Sequence, residues 1–538
     1  EYKAVKDGPA CIQKNTFSHS YIDEGNEDCL FLSVYVPHSF EGNSSNLAVL
    51  VYYYGGGFVS GSNIKSQYDP AYFLDHNIVL VTANYRGGPL GFLSTEDANC
   101  PGNFGIKDQA MVLKWTQQNI QRFGGDPESV TIFGSSAGSA SVTYLMMSPL
   151  TEGLYSKAIA MSGTNLAPWA QPAHKGVAKK RAKQFAEYFN CYSPNNWTQT
   201  IECLRNVPAA SISSSYYDFF EFDTDPVVVF SPVIEPDVPG AFITKHPREE
   251  RAETSSKIPF ITGVNYDEGL MKSLPIMNYP GVFEEFSTNL KRALSISLYY
   301  DHHNSSIQDS ITKQIDDFYF GNNFSKDKFT NLTTLFGDGW FLDAMDSYLR
   351  MRLSHTDAAP TYVYLLTHKA SISFSEVFNG DPETFYGVSH GDDQPYFFPK
   401  RDTVFSNSLP TKEDDEMRKS LIQMWVDFAR TGNPTPESSN LPKWIEAKEF
   451  PLRYYRFGNL NFDGKPMFGM EENGIFEERT KFWREIEAFL PSTHSQKEEI
   501  VPSESTVSKS CQKSSNCLVI SMISLLSLVF GHLLYKFV

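Results

Sequence analysis

Short apolar runs alternate with amphipathic stretches along most of the chain. The runs at residues 47–54 (LAVLVYYY) and 77–85 (NIVLVTANY) contain few polar positions, which is typical of strands that are buried on both faces. In residues 106–124, apolar residues recur at helical spacing until a Gly-Gly pair ends the stretch, so the pattern predicts a helix. Further strands are predicted at 129–133, 157–163, 259–264 and 361–366, and a further helix at 139–147. This alternation predicts an α/β fold, with a mostly parallel central sheet and helices on both faces.

The C-terminal end of the chain has a different pattern. Residues 1–490 are predicted to form one large domain, whereas residues 491–517 are polar and Ser-rich without periodicity, which predicts a stalk. Residues 518–538 are mostly apolar. Within this segment, the 18 residues at 518–535 are at the short limit for a spanning helix, and the segment also fits the tail of a GPI-anchor signal. We therefore expect a membrane tether of either kind, and a buried core helix is the alternative.

The charge balance of the chain argues against a nucleic-acid partner. The chain carries 46 Lys and Arg against 63 Asp and Glu, a formal net charge of −17. Such a surface repels phosphate backbones, so we expect no nucleic-acid partner. The sequence also contains no His-Glu-x-x-His spacing of the zinc-binding type, and we expect neither a metal nor an organic cofactor.

Cysteines and sequons indicate the secretory route. We interpret Cys11 with Cys29 and Cys191 with Cys203 as two short-range disulfides, each worth about 3 kcal/mol; buried free thiols are the alternative. Five Asn-x-Ser/Thr sequons are candidate glycosylation sites: Asn43, Asn196, Asn304, Asn323 and Asn331. Together with the hydrophobic tail, these features predict an extracellular protein that is tethered to the cell surface.

Ser136 is the first candidate for chemistry. It lies in TIFGSSAGSASV, residues 131–142, between a predicted strand and a predicted helix, which is the setting of a nucleophile elbow. A Cβ at Gly134 or Gly138 is expected to clash with neighbouring backbone in such a turn. The following helix would direct its positive end at the serine and favour an anion there. The Gly-x-Ser-x-Gly pattern is common enough that a plain serine turn remains the alternative.

A glycine triplet supplies candidate donors for an oxyanion. In YYYGGGFVSG, residues 52–61, the backbone N–H groups of Gly56 and Gly57 can turn toward a substrate oxygen, and Ala137 would supply a third. A flexible glycine loop is the alternative interpretation. For the base and its orienting acid, His390 in YGVSHGDDQPYFF and Glu268 in GVNYDEG lie in predicted loops in the right chain order. With twelve histidines in the chain, spacing alone does not select His390.

Several longer segments together resemble one family. EDCLFLSVYVP, YGGGF, NYRGGPLGFL, NFGIKDQAMVLKWTQQNIQRFGGDPESVTIFGSSAGS, GVNYDEG and SHGDDQPY stand in the order seen in the type-B carboxylesterase and cholinesterase family. The resemblance covers about residues 8–488, and in detail it is most similar to the insect carboxylesterases. It implies an α/β-hydrolase fold, although the family's N-terminal strands, expected before the first cysteine, are missing from this sequence.

The resemblance also implies roles for individual residues. They are the nucleophile Ser136, base His390 and acid Glu268; the oxyanion hole Gly56, Gly57 and Ala137; the substrate-pocket residues Trp169 and Phe58; the disulfides Cys11–Cys29 and Cys191–Cys203; and a buried structural ion pair between Arg86 and Asp126. Ser135 replaces a glutamate that many members carry, and the loop between Cys11 and Cys29 contains no Trp. Both departures argue against choline esters, since a Trp there would hold a quaternary ammonium.

The expected function is that of a serine carboxylic ester hydrolase. It would act on small-molecule carboxylic esters through a Ser-His-Glu triad and an acyl-enzyme, in detoxification or in hormone or pheromone ester turnover. The alternative is a membrane-tethered, cholinesterase-like adhesion protein without catalysis. The sequence carries no signal of oligomeric state.

Overall fold

A nine-stranded sheet organises the part of the chain that the computed structural model describes, namely residues 4–14, 25–38, 46–172, 174–249, 256–400, 405, 409–462 and 464–489. The predicted stalk at 491–517, the predicted tether at 518–538 and the sequon at Asn43 lie outside these residues. Within them, no helix is both long enough and apolar enough to cross a membrane.

The sheet is parallel in its centre and antiparallel at both edges. Its strands are β1 (Leu32–Tyr35), β2 (Leu47–Tyr53), β3 (Ile78–Ala83), β4 (Gly125–Ser135), β5 (Lys157–Met161), β6 (Phe260–Asn265), β7 (Thr361–Leu366), β8 (Tyr454–Phe457) and β9 (Phe468–Glu471). Their spatial order is β1-β3-β2-β4-β5-β6-β7-β8-β9. Only the β1–β3 and β8–β9 pairs are antiparallel. The prediction of a mostly parallel central sheet is confirmed.

Helices connect and cover these strands. They are α1 (Ala71–Leu74), α2 (Gly88–Phe92), α3 (Phe104–Asn119), α4 (Ala137–Met147), α5 (Val177–Tyr188), α6 (Trp197–Arg205), α7 (Ala209–Ser214), α8 (Leu270–Asn278), α9 (Val282–Thr288), α10 (Leu290–Ser297), α11 (Ser305–Ile315), α12 (Phe329–Gly337), α13 (Asp343–Leu353), α14 (Lys412–Thr431) and α15 (Glu477–Phe489). A π-helical turn, Asp338–Leu342, joins α12 to α13.

Both faces of the sheet are buried, and β2 shows how. Successive side chains of a strand point to opposite faces. The ring of Tyr52 packs on Phe398, in the same apolar cluster as Trp425 of α14. The hydroxyl of Tyr53 instead donates to the carbonyl of Gln109 in α3. Strands with helices on both sides cannot alternate apolar and polar residues, which explains their continuous apolar runs.

Both predicted disulfides are present. Cys11 pairs with Cys29 and Cys191 pairs with Cys203. Cys100 is a buried free thiol, and burial raises its pKa to about 11. A thiol held in its neutral form is a poor nucleophile, so Cys100 acts as a small apolar side chain.

The predicted ion pair between Arg86 and Asp126 is wrong. Arg86 instead holds Asp108 of α3 through two donors, Nε to Oδ2 at 2.8 Å and Nη2 to Oδ1 at 2.7 Å. Arg86 follows the carboxyl end of β3, whereas Asp126 lies at the amino end of β4, and both strands run parallel to β2. The two residues therefore lie near opposite ends of the parallel strands. Asp126 accepts the backbone N–H of Glu128 instead.

Candidate active site

Ser136 lies in a strained turn between β4 and α4. Its backbone angles are φ 59° and ψ −123°, and its N–H donates to the carbonyl of Met161 at 2.9 Å. A positive φ costs a residue with a Cβ about 1–3 kcal/mol, and such strain persists only where the surroundings impose it. Between Val130 and Met146, Ser136 alone is partly exposed, and all its neighbours there are buried. The turn therefore presents one hydroxyl at the surface of a buried segment.

The two flanking glycines are required by close packing. A Cβ at Gly134 would overlap the backbone of Gly138, and a Cβ at Gly138 would overlap the carbonyl oxygen of Tyr53 at the end of β2. Both obstacles are backbone atoms, which cannot rotate away as a side chain can. The predicted clash at both glycines is thus confirmed.

The glycine loop packs directly against Ser136. A Cβ at Gly55 would lie 2.9 Å from the Cβ of Ser136. The loop continues with positive φ angles of 114° at Gly56 and 61° at Gly57. Among the hydrogen bonds of the described residues, none uses the N–H of Gly56, Gly57 or Ala137 as donor. Three backbone donors are thus available close to the serine.

Glu268 and His390 form a buried hydrogen-bonded pair. The distance between His390 Nδ1 and Glu268 Oε2 is 2.6 Å, and the two residues are 5% and 2% exposed. The other carboxylate oxygen, Oε1, accepts the hydroxyl of Ser162 at 2.5 Å and the N–H of Asn265 at 2.7 Å. Both oxygens of Glu268 therefore have partners, and the carboxylate is fixed in position beside the imidazole.

The sheet brings these residues to one edge. Ser136, Ser162 and Glu268 follow the carboxyl ends of β4, β5 and β6, which are neighbours in the sheet. Bridge pairing of Asp267 with Ser389 joins the loop of His390 to the loop of Glu268. The carboxyl edge of a parallel sheet is where such folds place their sites. The described contacts connect His390 directly to Glu268, and they contain no hydrogen bond from His390 to Ser136.

Buried aromatic side chains pack in the region of His390. Phe341, on the π-helical turn, stacks on the imidazole with a ring separation of 4.6 Å, and it also packs on Trp169 at 5.9 Å. Trp169 donates its indole N–H to the carbonyl of Trp340 at 3.0 Å. Phe58 is fully buried and packs on Trp169 at 6.3 Å. Trp340 also lines a mostly apolar cavity between the α8 region and the Phe378 segment.

Sequence reasoning did not identify Ser162 and Phe341. Ser162 follows β5 with a φ of 59°, a conformation that no local motif reveals. The residues around Phe341 resemble an ordinary apolar helix in composition, and the local sequence gives no sign of the π-helical turn at Asp338–Leu342. Such turns are often found at functional sites.

Buried carboxyl groups surround the histidine loop. Asp392 accepts the N–H of Ser389 at 2.7 Å and so helps to hold the loop of His390. Burial and the negative charge of Glu268 raise the pKa of Asp393 to about 7. Burial, with a smaller effect of Glu268, raises the pKa of Asp267 to about 6. The surroundings of His390 are therefore rich in carboxyl groups, and these groups are partly protonated at neutral pH.

Comparisons with known proteins identify the family. Residues 1–483 match the carboxylesterase family. Juvenile hormone esterase from Tribolium castaneum is 34% identical over 500 residues, covering 89% of this chain and 84% of that protein. Esterase FE4 from Myzus persicae is 35% identical over 478 residues, covering 85% and 80%.

A solved structure shares the fold. Juvenile hormone esterase from Manduca sexta, with OTFP covalently attached, superimposes with a TM-score of 0.77 at 24% identity, covering 90% of this chain and 88% of that one. This likeness confirms the predicted α/β-hydrolase fold. The chain belongs to the carboxylesterase family and is a carboxylesterase, as the resemblance implied.

Proposed function

We propose that Ser136, His390 and Glu268 form the catalytic triad of a serine carboxylesterase. The observation that carries this proposal is the buried pair of Glu268 and His390 at the same sheet edge as the strained turn of Ser136. A carboxylate bonded to Nδ1 fixes the tautomer in which Nε2 is free to accept a proton. That arrangement supports His390 as the base for Ser136.

The first half of the reaction forms an acyl-enzyme. His390 Nε2 takes the proton of Ser136 Oγ while this oxygen bonds to the ester carbonyl carbon. The carbonyl π electrons move onto the oxygen, and the N–H groups of Gly56, Gly57 and Ala137 donate to the resulting oxyanion. The tetrahedral intermediate then reforms the carbonyl and breaks its bond to the alcohol oxygen, which takes the proton from His390.

The second half of the reaction releases the acid. Water attacks the acyl carbon, and His390 accepts the water proton. The same donors stabilise the second oxyanion until the bond to Ser136 Oγ breaks and the serine regains its proton from His390. Glu268 stays ionised throughout and stabilises the imidazolium. The hydrogen bond between Ser136 and His390 is expected to form in the substrate complex, since such bonds are often long in a free enzyme.

The pocket walls favour small apolar esters. Phe341 stacks on His390 and also packs on Trp169. The carbonyl of Trp340 accepts the indole N–H of Trp169, and Trp340 lines an apolar cavity with Met271 and Phe378. Lys272 also lines that cavity, and its ammonium forms an ion pair with Asp225 at 2.8 Å. We infer a substrate with an apolar acyl or alcohol part, in detoxification or in hormone or pheromone ester turnover. The name of one relative, juvenile hormone esterase, fits hormone ester turnover.

We also propose that the chain is a secreted glycoprotein and that the segment 518–538 tethers it to the cell surface. Two disulfides support an oxidising compartment. The sequon residues within the described chain are exposed, as glycosylation requires: Asn196, Asn304, Asn323 and Asn331.

Hydrolysis of p-nitrophenyl butyrate by the full chain tests the triad. Ser136→Ala is expected to lower kcat by about 10⁴-fold or more and to abolish stoichiometric labelling by an organophosphate, because the attacking oxygen is gone. Glu268→Gln is expected to lower kcat by about 10³-fold or more while labelling slows. The control is Ser211→Ala, an exposed serine, which should leave both unchanged. Hydrolysis or labelling that survives in Ser136→Ala would contradict the assignment.

A further inference from the structure

Three histidines meet on the surface, and the proposed reaction uses none of them. His174 lies in the loop before α5, and His302 and His303 lie in the turn between α10 and α11. Their ligand nitrogens all lie within 4.8 Å of one another. The ring of His302 is 4.0 Å from each of the other two rings. Two segments that are far apart in the sequence thus bring three imidazoles together.

The backbone around the cluster is well anchored. The side-chain amide of Gln308 in α11 donates to the carbonyl of His303 at 2.7 Å and to the carbonyl of Asp301 at 2.7 Å. On the other segment, the carbonyl of His174 accepts the N–H of Val177 at 3.0 Å. Both segments are therefore hydrogen-bonded next to the cluster, and the side chains of His174 and His302 are exposed.

Three imidazoles at this spacing match the ligand set of a divalent transition metal. Neutral imidazole nitrogen suits Zn²⁺, Cu²⁺ and Ni²⁺, whereas Ca²⁺ and Mg²⁺ require oxygen ligands. Metal–nitrogen bonds of about 2.0–2.1 Å place two ligands of a tetrahedral ion about 3.3 Å apart. Small side-chain rotations bring nitrogens that lie within 4.8 Å to that separation. Three protein ligands leave a further position open to water.

We propose that His174, His302 and His303 bind one divalent transition-metal ion of the zinc and copper class, which joins the loop before α5 to the α10–α11 turn. The site shares no residue with the proposed triad. An ion that binds only the folded chain stabilises it by mass action, so the metal acts as a clamp between these two segments. Three neutral imidazoles that pack on one another at a tilt, without a metal, are the alternative arrangement.

Calorimetric titration of ZnCl₂ into the untagged, EDTA-treated and desalted full chain tests the proposal. We expect one ion per chain and a rise in Tm with added Zn²⁺. His174→Ala and the double variant His302→Ala/His303→Ala are each expected to weaken the affinity by about tenfold or more. The control is His38→Ala, which removes an exposed histidine outside the cluster and should bind as the parent does. Unchanged hydrolysis of p-nitrophenyl butyrate in every variant verifies that the chain is folded.

Copper binding supplies a second readout that counts the ligands. With one equivalent of Cu²⁺, the electron paramagnetic resonance spectrum of the parent is expected to show hyperfine coupling to three nitrogens, and that of His174→Ala to two. Parent spectra with fewer than three nitrogens would overturn the proposal. So would Zn²⁺ binding that is equally tight in the parent and in the double variant, because the ion would then be held elsewhere.

Discussion

Glu268 accepts hydrogen bonds from other groups besides His390. Besides His390, it is held by the hydroxyl of Ser162 and the N–H of Asn265. A carboxylate that can rotate would offer its histidine a variable acceptor, and the imidazole would lose its orientation. Ser162 is fully buried and is therefore a positioning residue, which would act on the proposed reaction through Glu268.

We expect Ser162→Ala to lower kcat by about tenfold and to leave KM nearly unchanged. A hydrogen bond to a charged group is worth about 1.5–3 kcal/mol, and loss of about 1.4 kcal/mol from the transition state alone is a factor of ten. Steady-state hydrolysis of p-nitrophenyl butyrate measures both constants. The control is Ser148→Ala, which removes a buried hydrogen bond of 2.7 Å to Phe242 away from the site. Equal losses of kcat in the two variants would show that Ser162 has only a structural role.

Local geometry was predictable where a local motif carries it, and the roles of these residues stay a proposal. The strand–turn–helix context predicted the strained turn of Ser136, and the family segments selected His390 and Glu268 among many possible pairs. The partner of Arg86 was predicted wrongly because it depends on how the strands are arranged in the sheet, which the local sequence does not encode. Arg86 pairs with Asp108 instead. Phe341 was missed because stacking across the fold leaves no local signal.

At the level of elements, the turn between β4 and α4 depends on the contact of α4 with β2. Helix α4 starts directly after Ser136, so its N-terminal end stands against the carboxyl end of β2, where the carbonyl of Tyr53 leaves no space for a Cβ at Gly138. This contact sets the position of Ser136 relative to the glycine loop that follows β2.

Gly138→Ala is expected to lower the free energy of unfolding by roughly 3 kcal/mol and to reduce ester hydrolysis strongly, since α4 must move away from β2. Urea unfolding and the kinetic assay measure the two effects. Gly153→Ala is the matched control: its φ is +74°, and no atom lies within 4 Å of the added Cβ. It should cost about 1 kcal/mol, from backbone strain alone, and leave kcat unchanged. A smaller cost at Gly138 than at Gly153 would refute this packing argument.

The central elements were predictable from the sequence and the edge strands were not. The run at 361–366 coincides with β7, and the run at 47–54 ends one residue after β2. These strands are buried on both faces, so their apolar character is continuous. By contrast, β1 has four half-buried residues, and such a short strand resembles a loop in composition.

For the whole molecule, the acidic loop around His390 carries a cost in stability that depends on pH. Asp393 is 2% exposed, and burial and Glu268 raise its pKa to about 7, from an ordinary value of 3.8. Between about pH 4 and about pH 7 the folded chain keeps a proton that the unfolded chain releases. The free energy of unfolding therefore falls as the pH rises through this window, by at most about 1.4 kcal/mol per pH unit for this group.

We expect Asp393→Asn to remove this contribution, because a neutral amide of the same shape has no charge to bury. The difference in free energy of unfolding between Asp393→Asn and the parent should grow from about pH 5 to about pH 7 and then stay constant. Urea unfolding at constant ionic strength measures it. Asp357→Asn, which neutralises an exposed carboxylate, should show no such trend. A difference that is constant across the window would mean that Asp393 is already ionised in the folded chain at pH 5. The buried acid beside the triad would then be stabilised by its surroundings, and stability would be insensitive to its titration in this range.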